Sequence, residues 1–265
     1  MPSVLKSFKS VKRKVKRKLR STKKSFRNAF RSFRPDEITY RLAISRFKNF
    51  EVAYRQGTAD ESVIVENLEN DEFFSTTRYQ PAADHVIIDV GSHIGTFSLL
   101  AAVQVPQGAV YAIEASLETF NYLRINILLN RLDNIKAHHI ALSDQSGPVI
   151  LHYDEGNWGH SIMKRLTAHG ESVNAETLPE FLAKNNINKC DFIKFNCEGA
   201  EFPILLSTPP EVLATIDRML ILYHCDLASD YNLDALLQHL HSSHFKTEIH
   251  KQEAQRGWIV AECAA

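Results

Sequence analysis

Several things are missing from this 265-residue chain, and each absence narrows the reading. No apolar run approaches the roughly 20 residues needed to cross a bilayer, and no signal-peptide core is visible, so a cytoplasmic location is expected. Cysteine is scarce. Cys190, Cys197, Cys225 and Cys263 form no C-x-x-C pair, which argues against a disulfide framework or a thiolate metal site and for reduced thiols. No other ligand cluster points to a metal. The ten glycines spell neither G-x-G-x-x-G nor GK[ST], which sets aside dinucleotide binders and P-loops. Acidic residues are absent from positions 1–34, where fourteen Lys and Arg fall; the other 231 residues carry a net charge of about −14 beneath a formal total of zero.

That basic segment is patterned. Val4, Phe8, Val11, Val15, Leu19, Phe26, Phe30 and Phe33 recur at steps of three, four or seven between Lys, Arg and Ser, with no Pro or Gly from 3 to 34. The spacing predicts a basic amphipathic helix suited to an anionic membrane surface. A disordered basic extension, contacting nucleic acid non-specifically, and an organellar presequence are the other two readings. Pro35 ends the pattern. The expected organisation is a tail over 1–34, a helix and hairpin lead-in over 35–85, and a main domain over 86–265. In the lead-in, Ile38 to Phe47 has helical spacing, and the short runs Phe50–Tyr54 and Ser62–Val65 suggest a hairpin.

The stretch that organises the rest is Val86-Ile87-Ile88-Asp89-Val90-Gly91-Ser92-His93-Ile94-Gly95-Thr96-Phe97. A β-branched run reads as a buried parallel strand, two glycines follow four residues apart, and helical spacing then begins. A strand, glycine turn and helix in that order bring backbone close to a ligand and aim free N–H groups at it. A second strand, Ala109 to Ile113, ends on Glu114, 19 residues after Gly95. An acidic side chain there can accept both hydroxyls of an adenosine ribose. Beyond Glu114 the chain alternates between strands and helices, which predicts a parallel sheet covered on both faces. Ser116 is a credible cap for a helix through Leu129. Ser143 and Asp144 follow the third strand, where ligands of open α/β sheets lie, although a turn before Gly147 would use the same residues.

Asp89 to Gly95 together with Glu114 resembles the S-adenosylmethionine site of class I methyltransferases. Lys194-Phe195-Asn196-Cys197-Glu198-Gly199-Ala200-Glu201 is similar to the K-[IF]-D-x-E-G-A-E signature of the FkbM methyltransferases. Phe50 to Thr58, Gly156 to Ser161, Glu176 to Leu182 and Tyr223-His224 agree with that family too, so the resemblance covers about residues 47–262. It implies an α/β, Rossmann-like class I methyltransferase fold with a seven-stranded, mostly parallel sheet. It implies S-adenosyl-L-methionine as cofactor, held by Asp89, Gly91, Ser92, His93, Gly95, Glu114, Ser143 and Asp144. The acceptor, a hydroxyl of a sugar, glycolipid or natural product, would face Asn196, Glu198 and His224.

Two departures bear on catalysis. The family's Asp before x-E-G is Asn196 here, and the Glu before Tyr-His is Leu222. An amide keeps hydrogen bonding but cannot serve as a base at neutral pH, and leucine does neither. Glu198, Glu201 and His224 remain as possible bases. Two alternatives stay open at this level: a degenerate, cofactor-binding scaffold at a membrane surface, and a nucleic-acid methyltransferase using the basic tail. The lack of an Asn/Asp-Pro-Pro-Tyr block counts against the latter.

Overall fold

The computed structural model describes residues 41–154 and 159–264, with isolated positions 10 and 13. The expected amphipathic helix of the basic segment and residues 156–158 of the Gly156 to Ser161 block therefore lie outside the described residues. The elements run β1 (Arg41–Phe47), β2 (Phe50–Gln56), α1 (Asp60–Ile64), a π-helical turn (Val65–Glu69), α2 (Glu72–Thr77), β3 (Val86–Val90), α3 (Thr96–Gln104), β4 (Ala109–Ile113), α4 (Leu117–Asn130), β5 (Ile135–His138), β6 (Ala141–Leu142), β7 (Gly147–His152), β8 (Gly170–Glu176), α5 (Leu178–Lys184), β9 (Phe192–Phe195), α6 (Glu201–Ser207), α7 (Pro210–Leu213), β10 (Arg218–His224), α8 (Leu233–Ser242), β11 (Phe245–Glu253) and β12 (Arg256–Cys263). Seven strands form the central sheet in the order β11-β12-β10-β9-β3-β4-β5. All neighbours from β10 to β5 are parallel; β12 is antiparallel to both β10 and β11.

Both faces of the sheet are buried at β3, β4, β9 and β10, which is why these strands read as near-continuous apolar runs, whereas the edge strand β11 is mostly exposed and polar. Alternate residues supply two cores. Ile87, Val110, Phe192 and Leu220 pack beneath α3, α4 and the N-terminal segment. Ile88, Tyr111, Ile193 and Ile221 pack against α5, α6 and α8 on the other face. Helix α4 begins where Ser116 Oγ accepts the Thr119 N–H, and α5 where Thr177 Oγ1 accepts that of Glu180, so both starts follow from short polar caps.

The lead-in differs from expectation. Residues 41–47 form a strand, not a helix, because Phe47 pairs with Phe50 across a two-residue turn in which Lys48 takes φ +46°. Leu42 and Ile44 are spaced as in a strand and Ile44 and Phe47 as in a helix, so seven residues do not choose a period, and the neighbouring β2 decides. The expected hairpin partner, Ser62–Val65, is helical. Residues 147–176 hold a second departure: β8 pairs with β6 and β7 in a separate three-stranded sheet. Its polar sequence, Gly-Glu-Ser-Val-Asn-Ala-Glu, buries only Val173 and Ala175 and so carries little signal.

Candidate active site

The order of strands reverses between β3 and β9, the crevice where open α/β sheets bind ligands. The two strands are pinned there by a buried ion pair, Lys194 Nζ to Asp89 Oδ1 at 2.7 Å. Ser98 Oγ donates to the other Asp89 oxygen at 2.6 Å, and Lys194 also donates to the Gly91 carbonyl at 3.2 Å. Asp89 is fully buried with both oxygens engaged. The pair lies beneath the glycine turn, and Asp89 does not line the cavity described below. Gly91, at φ +72°, is required by the sheet itself: a Cβ would stand 1.9 Å from the Asn196 carbonyl oxygen. Gly95, at φ +88°, starts α3 and makes room for Leu123, 2.4 Å from where a Cβ would lie. It too supports the loop and does not line the cleft.

Gly91 and Ser92 donate their N–H groups to the Ile113 carbonyl at 3.0 and 2.9 Å, stitching the turn to the end of β4. Glu114 completes the seam. Its Oε2 accepts the His93 N–H at 2.8 Å and its Oε1 the Ser116 N–H at 2.9 Å. A carboxylate oxygen has two lone pairs, so each retains one for a ligand.

A cavity of about 430 Å³ opens over this seam. Ile140, Ala141, Leu142 and Leu151 give one end an apolar lining; Gly91, Ser92, His93 and Glu114 form the middle; Asn196, Glu198, His224 and Trp258 stand at the other end. Ser143 and Asp144 lie outside this lining. Pairing of β6 with β8 turns the chain away from β5, and Ser143 Oγ donates to Asp144 while its N–H goes to the Glu176 carbonyl. The apolar residues just before them, Ile140 to Leu142, line the cavity instead.

The far end carries linked titratable groups. Glu201, fully buried, takes the His224 backbone N–H on Oε1 at 2.7 Å and lies 3.1 Å from His224 Nδ1. Its Oε2 accepts the Gly199 N–H at 3.0 Å. Glu198 Oε2 stands 3.6 Å from His224 Nε2 on the cavity side. Glu198 is held at φ +53°, uncommon for a residue with a side chain. Burial alone would lower the His224 imidazole, but the hydrogen bond and charge of Glu201, with Glu198, carry it above the usual histidine range. Burial pushes the Glu198 carboxyl up, against the pull of His224. Arg256, 3.9 Å from Glu198, is held by two hydrogen bonds to Asp226. Leu222 packs on this wall opposite Trp258 in the sheet register.

The N-terminal segment forms the facing wall. Arg55 and Asp60, both fully buried, are joined by hydrogen bonds at 2.8 and 3.0 Å. Arg55 reaches Thr119 on α4 at 3.2 Å, and His93 Nε2 in the glycine turn lies 3.1 Å from Arg55 and 3.2 Å from Asp60. Burial opposes ionisation of Asp60, yet the hydrogen bond with His93 and the charge of Arg55 hold it well below the usual carboxylate range. These tertiary partnerships are invisible to spacing; only the presence of Arg55 in the family-like block Phe50 to Thr58 hinted at them.

The Methyltransferase FkbM domain family matches residues 89–251. A relative, Methyltransferase 1 of Beauveria bassiana (strain ARSEF 2860), is 25% identical over 169 residues, 56% of this chain and 68% of its own. The crystal structure of methyltransferase FkbM from Methylobacillus flagellatus KT shares the fold with a TM-score of 0.51 at 13% identity, over 72% of this chain and 46% of that one. Precorrin-6y C5,15-methyltransferase from Geobacter metallireducens GS-15 is similar at a TM-score of 0.45 and 13% identity, over 73% and 88%. Through residues 89–251, which hold the glycine turn, Glu114, Glu198, Glu201 and His224, the chain belongs to the FkbM methyltransferase family.

Proposed function

We propose that the protein transfers a methyl group from S-adenosylmethionine to a hydroxyl of a sugar, glycolipid or natural-product acceptor. The observation that carries this reading is the Glu201–His224–Glu198 array opening on the same cavity as Glu114. The residues fit the cofactor: Glu114 keeps an oxygen lone pair for each ribose hydroxyl, the Gly91–His93 backbone leaves room above it, and the apolar end suits a purine. When bound, the cofactor supplies an electrophilic methyl group on sulfur.

The chain's own residues do the rest. Glu201 fixes His224 so that Nδ1–H points inward, leaving Nε2 toward the acceptor. Neutral His224 takes the hydroxyl proton at Nε2 as the oxygen attacks, and the resulting imidazolium is stabilised by Glu201 and Glu198. Asn196 and Glu198 orient the acceptor, and Trp258 offers an apolar face for it. Holding the reacting groups in line supplies much of the rate. Asn196 in place of the family's Asp therefore leaves the proton path intact, because His224 carries it.

Residues 1–34 bring the enzyme to an anionic membrane surface, which suits a lipid-linked acceptor. Among the described residues no helix is long and apolar enough to cross a membrane. Calorimetric titration of S-adenosylmethionine, with NAD as control, is paired with methyl transfer to polyhydroxylated acceptors, using full-length and tail-deleted protein and vesicles with or without anionic lipid. His224→Gln should cost about 10²–10⁴ in kcat/KM at unchanged cofactor affinity. Cofactor binding without turnover on any acceptor favours the scaffold reading, and no binding defeats both.

A further inference from the structure

The π-helical turn Val65–Glu69 has no role in the chemistry above, yet it presses against the start of α3. Single π turns interrupt helices chiefly where a side chain must be re-aimed, often at functional sites. Here the side chain is Asn67. It is 5% exposed and lines the cavity. Its Nδ2 donates to Thr96 Oγ1, the first residue of α3, at 2.8 Å. Its Oδ1 is buried and accepts no hydrogen bond. A buried acceptor left unmade costs more than an ordinary hydrogen bond gains, so such an atom calls for a donor.

The cavity's layout says which donor. Glu114 marks the ribose position, and the apolar Ile140–Leu142 end lies to one side of it. On the opposite side, past Gly91 and His93, the wall is made by Glu66, Asn67, Phe73 and Phe97. A ligand placed with its purine at the apolar end and its ribose on Glu114 extends its amino-acid tail toward Asn67. That tail ends in an ammonium and a carboxylate. Glu66 and Glu72 stand on this wall with Lys251, which pairs with Glu72 at 3.0 Å, while the Lys194 ammonium nearby is paired with Asp89.

We propose that Asn67 is a cofactor-binding residue whose Oδ1 accepts a hydrogen bond from the α-ammonium of the S-adenosylmethionine tail. The inference rests on the cofactor reading above and deepens it. It makes the N-terminal segment, outside the matched 89–251 region, part of the cofactor site.

The test compares S-adenosylhomocysteine, which has the amino-acid tail, with 5′-methylthioadenosine, which lacks it, by calorimetry on the full chain. Asn67→Ala should weaken S-adenosylhomocysteine about tenfold or more and leave 5′-methylthioadenosine unchanged. Asn67→Asp, which keeps the acceptor and adds negative charge, should retain S-adenosylhomocysteine; Thr96 can then donate its hydroxyl to the carboxylate. Glu114→Ala should weaken both ligands. Equal losses for the two ligands in Asn67→Ala, or a loss in Asn67→Asp as large as in Asn67→Ala, would overturn the assignment. Failure of the wild-type chain to bind either ligand would instead defeat the cofactor reading.

Discussion

Two buried ion pairs flank the cleft, and they solve different problems. Lys194 and Asp89 stand 105 residues apart in the chain, on adjacent parallel strands that already share a backbone ladder. Arg55 and Asp60 are five residues apart, and the β1–β2 ladder that holds Arg55 is separate from the central sheet; they tie the N-terminal segment, through Thr119 and His93, to the body of the domain. The first pair reinforces strands that are held anyway. The second is the charged tie of a segment that is also held by the amides of Asn126 and Asn130, which bond the Ala53 and Glu51 backbone, by Asn67 on Thr96, and by apolar packing around Phe73, Phe74 and Phe97. Polar residues at equal depth thus differ in what depends on them.

The contrast is sharpest for Asp60→Asn, which leaves the Arg55 guanidinium buried without its counter-charge. A loss of about 3–5 kcal/mol is expected in urea unfolding, with weakened cofactor binding because His93 loses its support. Replacing both members, Arg55→Met with Asp60→Leu, should recover much of the stability but not the binding. Full recovery of binding would erase the distinction between the two pairs. Lys194→Met should cost less, about 3 kcal/mol, since Ser98 still satisfies one Asp89 oxygen and the β3–β9 ladder persists. A larger loss here than at Asp60 would reverse the ranking.

The smallest effect concerns a third buried pair, Glu201 and His224. His224 acts as a base only when unprotonated, and its partners raise its pKa. The rising limb of kcat/KM should therefore lie above the usual histidine value of about 6.5. Glu201→Gln removes the charge and should move that limb to lower pH, with a modest fall in rate; an unmoved limb would separate His224 from the proton transfer. The stability sign is opposite. A raised folded-state pKa means His224 contributes stability below about pH 6.5 that is lost as pH rises through the folded-state value.

What sequence could reveal follows the distance over which each feature is determined. β3, the glycine turn and α3 stand where the sequence places them because the signals are local: a β-branched run, two glycines, a period change. β1 was ambiguous because seven residues fit either period until β2 lies beside them. The place of Ser143 and Asp144, outside the cavity lining, depends on β8, which is nearly silent in its own sequence and pairs with the chain at Ala141 and Leu142. Asp89 stands at a motif position that is legible in the sequence, while its bond to Lys194 across 105 residues is not. Asn67 had no local signal, since an unmet hydrogen bond is a property of packing and not of pattern.

The placement of β12 has a consequence for synthesis. It is the last of the seven strands in chain order, yet it inserts between β10 and β11 and carries Trp258 and Arg256 to the cleft. The opposite wall begins near Arg55. On a ribosome, the cleft cannot close until more than two hundred residues have emerged, so a nascent chain exposes the bare edge of β10 throughout the making of α8 and β11. That edge is a template for unwanted pairing, and the interval during which it stays open is set by translation, not by the folded protein's stability.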